Sequence, residues 1–128
     1  MSQQLEANKA TVRHFYNLAF NVRKPEEAVA KHIGSSYRQH NPAAGDGPEP
    51  FIAFVRGYAQ AFPSLRVDFK RLIAEGDLVV VHNHHIRHPG DRGVAVMDIF
   101  RLENGKIVEH WDVLQEVPEP SANKNTMF

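Results

Sequence analysis

The sequence predicts an α+β fold: three N-terminal helices packed on one face of a curved antiparallel sheet. Three observations lead there. Apolar residues in the first half recur at helical spacing, and the second half holds four β-rich runs divided by short turn sequences. Helices precede strands throughout, with no strand-helix-strand alternation. At 128 residues the chain is expected to form one domain over 1–117, followed by a tail over 118–128.

From Gln4 to Asn21, Leu5, Val12, Phe15, Tyr16, Leu18 and Ala19 share one helical face with Glu6, Lys9 and Arg13 opposite, an amphipathic first helix. Pro25, Glu26 and Glu27 suit the start of a short second helix, which Gly34 is expected to close. Ser36 to Asn41 reads as a brief extended stretch, because a residue before Pro42 is pushed out of the α region. Past a loop rich in proline and glycine, Phe51, Phe54, Val55, Tyr58 and Phe62 repeat at three and four, and Pro63 ends that third helix. The strands are expected over Leu65 to Ala74, Leu78 to His88, Gly93 to Leu102 and Lys106 to Val117, joined as a meander by turns at Glu75-Gly76-Asp77, Pro89-Gly90-Asp91-Arg92 and Glu103-Asn104-Gly105. The tail from Pro118 to Phe128 has no period.

Composition removes several classes of function. Fifteen Lys and Arg balance fifteen Asp and Glu, which leaves no basic footprint for a nucleic acid. Without cysteine there is no disulfide framework, thiolate nucleophile or sulfur-based zinc site. No apolar run approaches the roughly 20 residues that span a bilayer, and the first ten residues have no signal-like apolar stretch, so a soluble cytoplasmic protein is expected. Gly45-Asp46-Gly47 lacks the preceding strand a phosphate loop requires, and no nucleotide or redox cofactor is expected. The positive signal is eight histidines, four of them between His82 and His88.

Strand alternation locates the chemistry. One face of the third strand reads Val94, Val96, Asp98, Phe100, Leu102, which sets a carboxylate among apolar neighbours. Such a group is either desolvated, with its pKa raised toward the range useful for acid and base work, or a structural bridge to an arginine. Its partner depends on the last turn. A two-residue Asn104-Gly105 hairpin sets Trp111 opposite Asp98; a three-residue loop with Gly105 in a bulge sets His110 there and gathers Asp98, His110 and Asp112 on one face. Asn-Gly suits both. His82 and His84 share a face of the second strand with Leu78, Val80 and Ile86, while Asn83 and His85 share the other with Val79 and Val81. His40, His82, His84 and a carboxylate could ligate zinc or iron, but no ligand spacing is specific and no metal is expected. His40 and Asn41, at the edge of the loop, are candidates for substrate contact.

The order helix, helix, polar segment Tyr37 to Pro42, helix, then a meander ending in Asp98-Ile99-Phe100-Arg101-Leu102-Glu103-Asn104-Gly105-Lys106-Ile107-Val108-Glu109-His110-Trp111-Asp112, resembles the SnoaL-like polyketide cyclase family of the nuclear transport factor 2-like superfamily. The branch of predicted aldol-condensation enzymes is similar in its Gln-His-Asn-Pro segment, its His-x-His strand and an ending like Ser121 to Phe128. The resemblance implies a cone-shaped α+β barrel with a deep apolar pocket and a homodimer formed through the outer side of the sheet. In the similar ketosteroid isomerases, matching positions put Asp98 and Tyr16 in the pocket, with Asn41 where the catalytic carboxylate stands, so Asn41 is not that base. In the similar limonene epoxide hydrolases a catalytic aspartate matches Asp112, but their accompanying Arg and Asp are missing around His82 to His85. Both relatives favour the bulged register.

The function these readings imply is cofactor-free acid/base chemistry on a small hydrophobic carbonyl substrate: isomerisation, cyclisation or an aldol-type reaction. Asp98 is expected as general acid/base with His110 or Asp112 as its partner, and Tyr16, His40, Asn41, His82 and His84 as substrate-binding residues. The alternative is a non-catalytic binding module of the same fold.

Overall fold

The computed structural model describes residues 2–128. Its elements are α1 (Ser2–Tyr16), which runs on into a π-helical turn (Asn17–Asn21), α2 (Pro25–His32), β1 (Ile33–Gln39), α3 (Pro48–Ala61), β2 (Arg66–Glu75), β3 (Leu78–Ile86), β4 (Val94–Glu103) and β5 (Lys106–Glu116). The fold class is α+β as expected, with the helices before the meander β2 to β5. The sheet is curled but not closed into a barrel, in the order β1-β5-β4-β3-β2.

One expectation about the sheet and one about α2 are corrected. The sheet is mixed rather than antiparallel, because β1 adds to the edge of β5 in parallel, with Arg38 opposite Glu109 and Gln39 opposite His110. Gly34 does not close α2: the helix ends at His32 and the chain enters β1 at once. A Cβ at Gly34 would lie 3.0 Å from Val108 Cγ1 and 3.2 Å from Lys106 Cβ, so this glycine lets the edge strand approach β5.

At the end of α1 the Val22 N–H donates to Asn17 O at 2.9 Å, five residues back. The wider turn accompanies three consecutive buried side chains, Leu18, Ala19 and Phe20. It also aims Asn21 at β2, where its amide donates to Val67 O and accepts from Val67 N–H, at 3.0 and 2.9 Å. The helices are thereby tied to the sheet by a reciprocal amide pair as well as by the core. That core joins Val12, Phe15 and Ala19 of the first helix to Phe51 and Val55 of α3 and to Val79, Val81, Phe100 and Ile107 of the sheet. The Phe15 ring stacks on Phe51 at 5.0 Å and meets Phe100 edge-on at 6.2 Å. Among the described residues no helix is long and apolar enough to cross a membrane.

The last hairpin sets neither Trp111 nor His110 opposite Asp98, as the two sequence alternatives have it, but Asp112, while the cluster of Asp98, His110 and Asp112 on one face is present. Asn104 and Gly105 form a two-residue turn with positive φ, 51° and 76°, which pairs Glu103 with Lys106 and Leu102 with Ile107. The register then shifts by one, so that Arg101 pairs with Glu109, Phe100 with His110 and Asp98 with Asp112. Ile107 and Val108 are both buried, as an extra residue in a bulge allows. The bulge rather than the turn brings His110 and Asp112 to the face of Asp98.

Candidate active site

Asp98 is fully buried and accepts three hydrogen bonds. Tyr16 O–H donates to its Oδ1 at 2.7 Å from α1, Asn83 Nδ2 to its Oδ2 at 2.8 Å from β3, and His110 Nε2 lies 2.7 Å from Oδ1 on β5. The other ring nitrogen of His110 is 2.7 Å from Gln39 Oε1, which also accepts the Asn41 backbone N–H at 3.0 Å. A backbone N–H can only donate, so the Gln39 atom there is the carbonyl oxygen and His110 Nδ1 carries a hydrogen. Nε2 is then the nitrogen turned to Asp98 Oδ1.

Asp112 faces Asp98 across the strands. Its Oδ2 accepts from Asn41 Nδ2 at 3.1 Å and lies 3.8 Å from His110 Nε2, while its buried Oδ1 has no partner. Desolvation raises its pKa above the usual carboxylate value and Asp98 adds to that; His110 and the Asn41 amide oppose it. Asn41 is held in turn by the Ala43 N–H, which donates to its Oδ1 at 2.7 Å. Burial, with Asp98 beside it, also pushes the Tyr16 hydroxyl well above its ordinary pKa.

Asp112, Asn41 and Tyr16 form one wall of a cavity of about 410 Å³ whose other walls include Phe20, Phe54, Phe62 and His85. Asp98 and His110 are not among the residues that line it. The arrangement is a largely apolar chamber with the Asp112 carboxyl group at its wall and the hydrogen-bonded Asp98 and His110 behind it.

Five of the expected site residues therefore meet: Tyr16, Asn41, Asp98, His110 and Asp112. Three do not. His40 leaves the end of β1 on the outer side, where it stacks on Trp111 with ring centroids 4.8 Å apart and its Nε2 is 2.7 Å from Glu109. His82 and His84 occupy the outer face of β3, since Val79, Val81, Asn83 and His85 take the inner one. His82 is hydrogen-bonded to Arg71 and stacks on Phe128, and His84 stacks on the same ring at 4.0 Å while its Nε2–H donates to Arg92 O at 2.7 Å. Sequence reading missed Asn83, His85 and Gln39. Their signal was the same alternation, Asn83 and His85 continuing the Val79-Val81 face and Gln39 the Tyr37 face.

The proposed zinc or iron set of His40, His82 and His84 is not assembled. Among the described residues the grouping with ligating atoms close enough, within 4.8 Å of one another, is Asp98, His110 and Asp112. His110 Nε2 is committed to Asp98 there, so a cation would have to break that pair before gaining the imidazole. These residues fit a hydrogen-bonded network better than a resident metal.

A curled α+β sheet roofed by helices over an apolar, acid-lined cavity is the nuclear transport factor 2-like arrangement. Residues 12–110 match the SnoaL-like domain family, and the chain belongs to it. TsrD from Streptomyces laurentii is 27% identical with a TM-score of 0.69, over 83% of this chain and 89% of that one. IdmH, a candidate polyketide cyclase from Streptomyces antibioticus, is 21% identical with a TM-score of 0.69 over 84% and 91%. A candidate ketosteroid isomerase from Kribbella flavida is 22% identical with a TM-score of 0.71 over 93% and 85%. No curated protein sequence matches the chain.

Proposed function

We propose that the protein is a cofactor-independent acid/base enzyme that moves a proton next to the carbonyl of a small hydrophobic substrate, in an isomerisation, cyclisation or aldol-type reaction. The observation that carries this reading is Asp112, with an unpartnered buried Oδ1 at the wall of an apolar cavity and a pKa raised by that burial. A carboxylate so placed is a stronger base than one in water. Asp112 Oδ1 takes the proton from the carbon beside the carbonyl, and charge moves to the carbonyl oxygen. The second amide hydrogen of Asn41, which also lines the cavity, is a donor for that oxygen, while the Tyr16 O–H stays committed to Asp98. Asp112 then returns the proton, to another carbon in an isomerisation or to the alkoxide formed when the enolate carbon attacks a second carbonyl. Asp98 and His110 are positioning residues behind Asp112. This moves the proton carrier from Asp98, which is closed off by three donors, to the carboxylate that faces the cavity. Membership of a family whose relatives are named for cyclisation and isomerisation supports the reading.

The test is exchange of the α-protons of an aryl ketone into deuterated water, followed by NMR. Asp112→Asn is expected to slow exchange by at least about a hundredfold while melting temperature holds or rises, because a desolvated charge is removed. Undiminished exchange in Asp112→Asn overturns the assignment. Wild-type protein that binds the ketone without accelerating exchange is a binding module of the same fold.

A homodimer through the outer sheet face completes the proposal. Met97 and Val113 pair there across β4 and β5 and are 45% and 74% exposed, an apolar surface that favours a second copy over water. Sedimentation at micromolar concentration is expected to show twice the 14.5 kDa chain mass; the single-chain species alone overturns this.

A further inference from the structure

The tail from Pro118 to Phe128 is fastened at both of its ends. At its start Val117 N–H donates to Gly93 O at 3.0 Å, Arg92 Nε donates to Val117 O at 3.3 Å, and the Arg92 guanidinium lies 3.6 Å from Glu119. At its finish the Phe128 ring stacks on His84 and His82, with centroids 4.0 and 5.7 Å away, and the Lys70 ammonium lies 5.6 Å from the Phe128 centroid. Arg92 couples the two ends, because its backbone oxygen accepts His84 Nε2–H at 2.7 Å and so fixes the ring under Phe128. Among the described residues the side-chain hydrogen bonds of residues 121–128 stay within the tail.

The contacts of this strap within one chain do not account for its order. Residues 120–126 are all exposed, and fixing their backbone costs more free energy than one half-buried aromatic stack returns. The apolar surface that the strap builds is also left open, since Met127 and Phe128 are only half-buried. Straight across the sheet Val113 pairs with Met97 and Met97 with His82. Neighbouring strands are about 4.8 Å apart, so Phe128 over His82 carries the exposed Met97–Val113 surface one strand further on the outer face.

We propose, resting on the homodimer reading above, that the C-terminal strap is part of the subunit interface: Phe128 joins Met97 and Val113 in one apolar strip that a second copy of the chain covers. A two-fold pair presents the same strip from both sides, so each copy supplies the surface that the other lacks. Fifteen cations against fifteen carboxylates leave no net charge to hold two copies apart. Docking of the strap and association of the chains are then linked. Each favours the other, because burial of the strip is what offsets the ordering of residues 120–126.

The experiment is sedimentation over a dilution series of the wild-type chain, of Phe128→Ala and of a chain lacking residues 118–128, with trypsin cleavage after Lys124 followed at the same concentrations. Wild type is expected to dimerise, and both variants to raise the dimer dissociation constant at least about tenfold, as loss of a central aromatic from an interface does. Cleavage after Lys124 in the wild type should slow as concentration rises through that constant. Variants that associate as tightly as wild type overturn the inference, and so does cleavage at one rate above and below the constant. Tighter association of the shortened chain overturns it too, by making the strap a cover that a second copy must displace. In those three outcomes the homodimer stands. Wild type and both variants monomeric throughout would sink the homodimer reading and this inference with it.

Discussion

Gln39 determines which nitrogen of His110 carries hydrogen, because its amide oxygen is shared between the Asn41 N–H and His110 Nδ1 while its Nε2 donates to Tyr37 at 3.2 Å. Neither orientation of the amide is free, since a flip would set donor against donor at Asn41. The imidazole therefore always presents Nε2 to Asp98, and through that pair the electrostatics beside Asp112 are set. Gln39→Leu keeps the bulk but leaves two donors unpaired, with an expected loss of about 1–3 kcal/mol of stability. If the residue positions His110 for turnover, kcat falls with KM nearly unchanged and the pH profile of kcat shifts. A loss of stability with the same pH profile would reduce Gln39 to scaffold. Sequence reading stopped one residue short of this: the polar run Tyr37 to Pro42 was visible, but the inward members of a strand were not distinguishable from His40 until β1 had a partner.

At the scale of elements, what could be read depended on how local the pairing is. The meander from β2 to β5 was legible because each turn carries its own glycine and each strand its own apolar alternation. β1 was legible only in its second half, as the extended stretch from Ser36, because Ile33-Gly34-Ser35 has little β preference and the partner β5 lies some seventy residues away, in parallel. The inner face of β3 was ambiguous for a different reason. Leu78 and Val80 are as apolar as Val79 and Val81, and packing under the helices, not pattern, makes Asn83 and His85 the buried pair. The face of β5 depended on the bulge at Ile107 and Val108, which no turn residue announces. Gly93 shows how tightly the start of β4 is held: at φ +83°, an added Cβ would stand 2.3 Å from His85 O and 2.5 Å from His84 Nε2. The His84 ring could turn away, but His85 O is backbone and that contact is relieved only if the chain moves. Gly93→Ala is expected to lose more than about 3 kcal/mol, measured by denaturant unfolding, and a loss under 1 kcal/mol, about the value for an unstrained glycine site, would show that β3 and β4 yield.

For the whole molecule, balanced charge and a sequence pI near 7.1 mean that pH acts on stability through a few buried groups more than through net charge. His85 is the most accessible of these to experiment. Tyr58 on α3 faces its ring; Asp98 on β4 raises its pKa, and His84 and Arg87 lower it, but desolvation dominates and holds it at about 4 against 6.5 in the unfolded chain. Between those values the unfolded chain binds the extra proton and the folded chain does not, so stability must fall as pH falls from about 6.5 toward 4. The full effect is up to about 3 kcal/mol. Asp112 works in the other direction, because its raised pKa lets the folded chain keep a proton that the unfolded chain releases above 3.8, and it returns part of the loss at the acid end. Stability by chemical denaturation is therefore expected to be flat above pH 7 and to decline below 6.5 through His85, with a smaller contribution from His32. It then keeps falling below 4.5, where Asp68, Asp91, Glu109 and Glu116, all held below their ordinary pKa by their arginine partners, lose their charge in the unfolded chain first. In His85→Phe the decline between 6.5 and 4.5 should shrink to the smaller part that His32 carries. An unchanged slope in that variant would mean that another group, not His85, carries the proton.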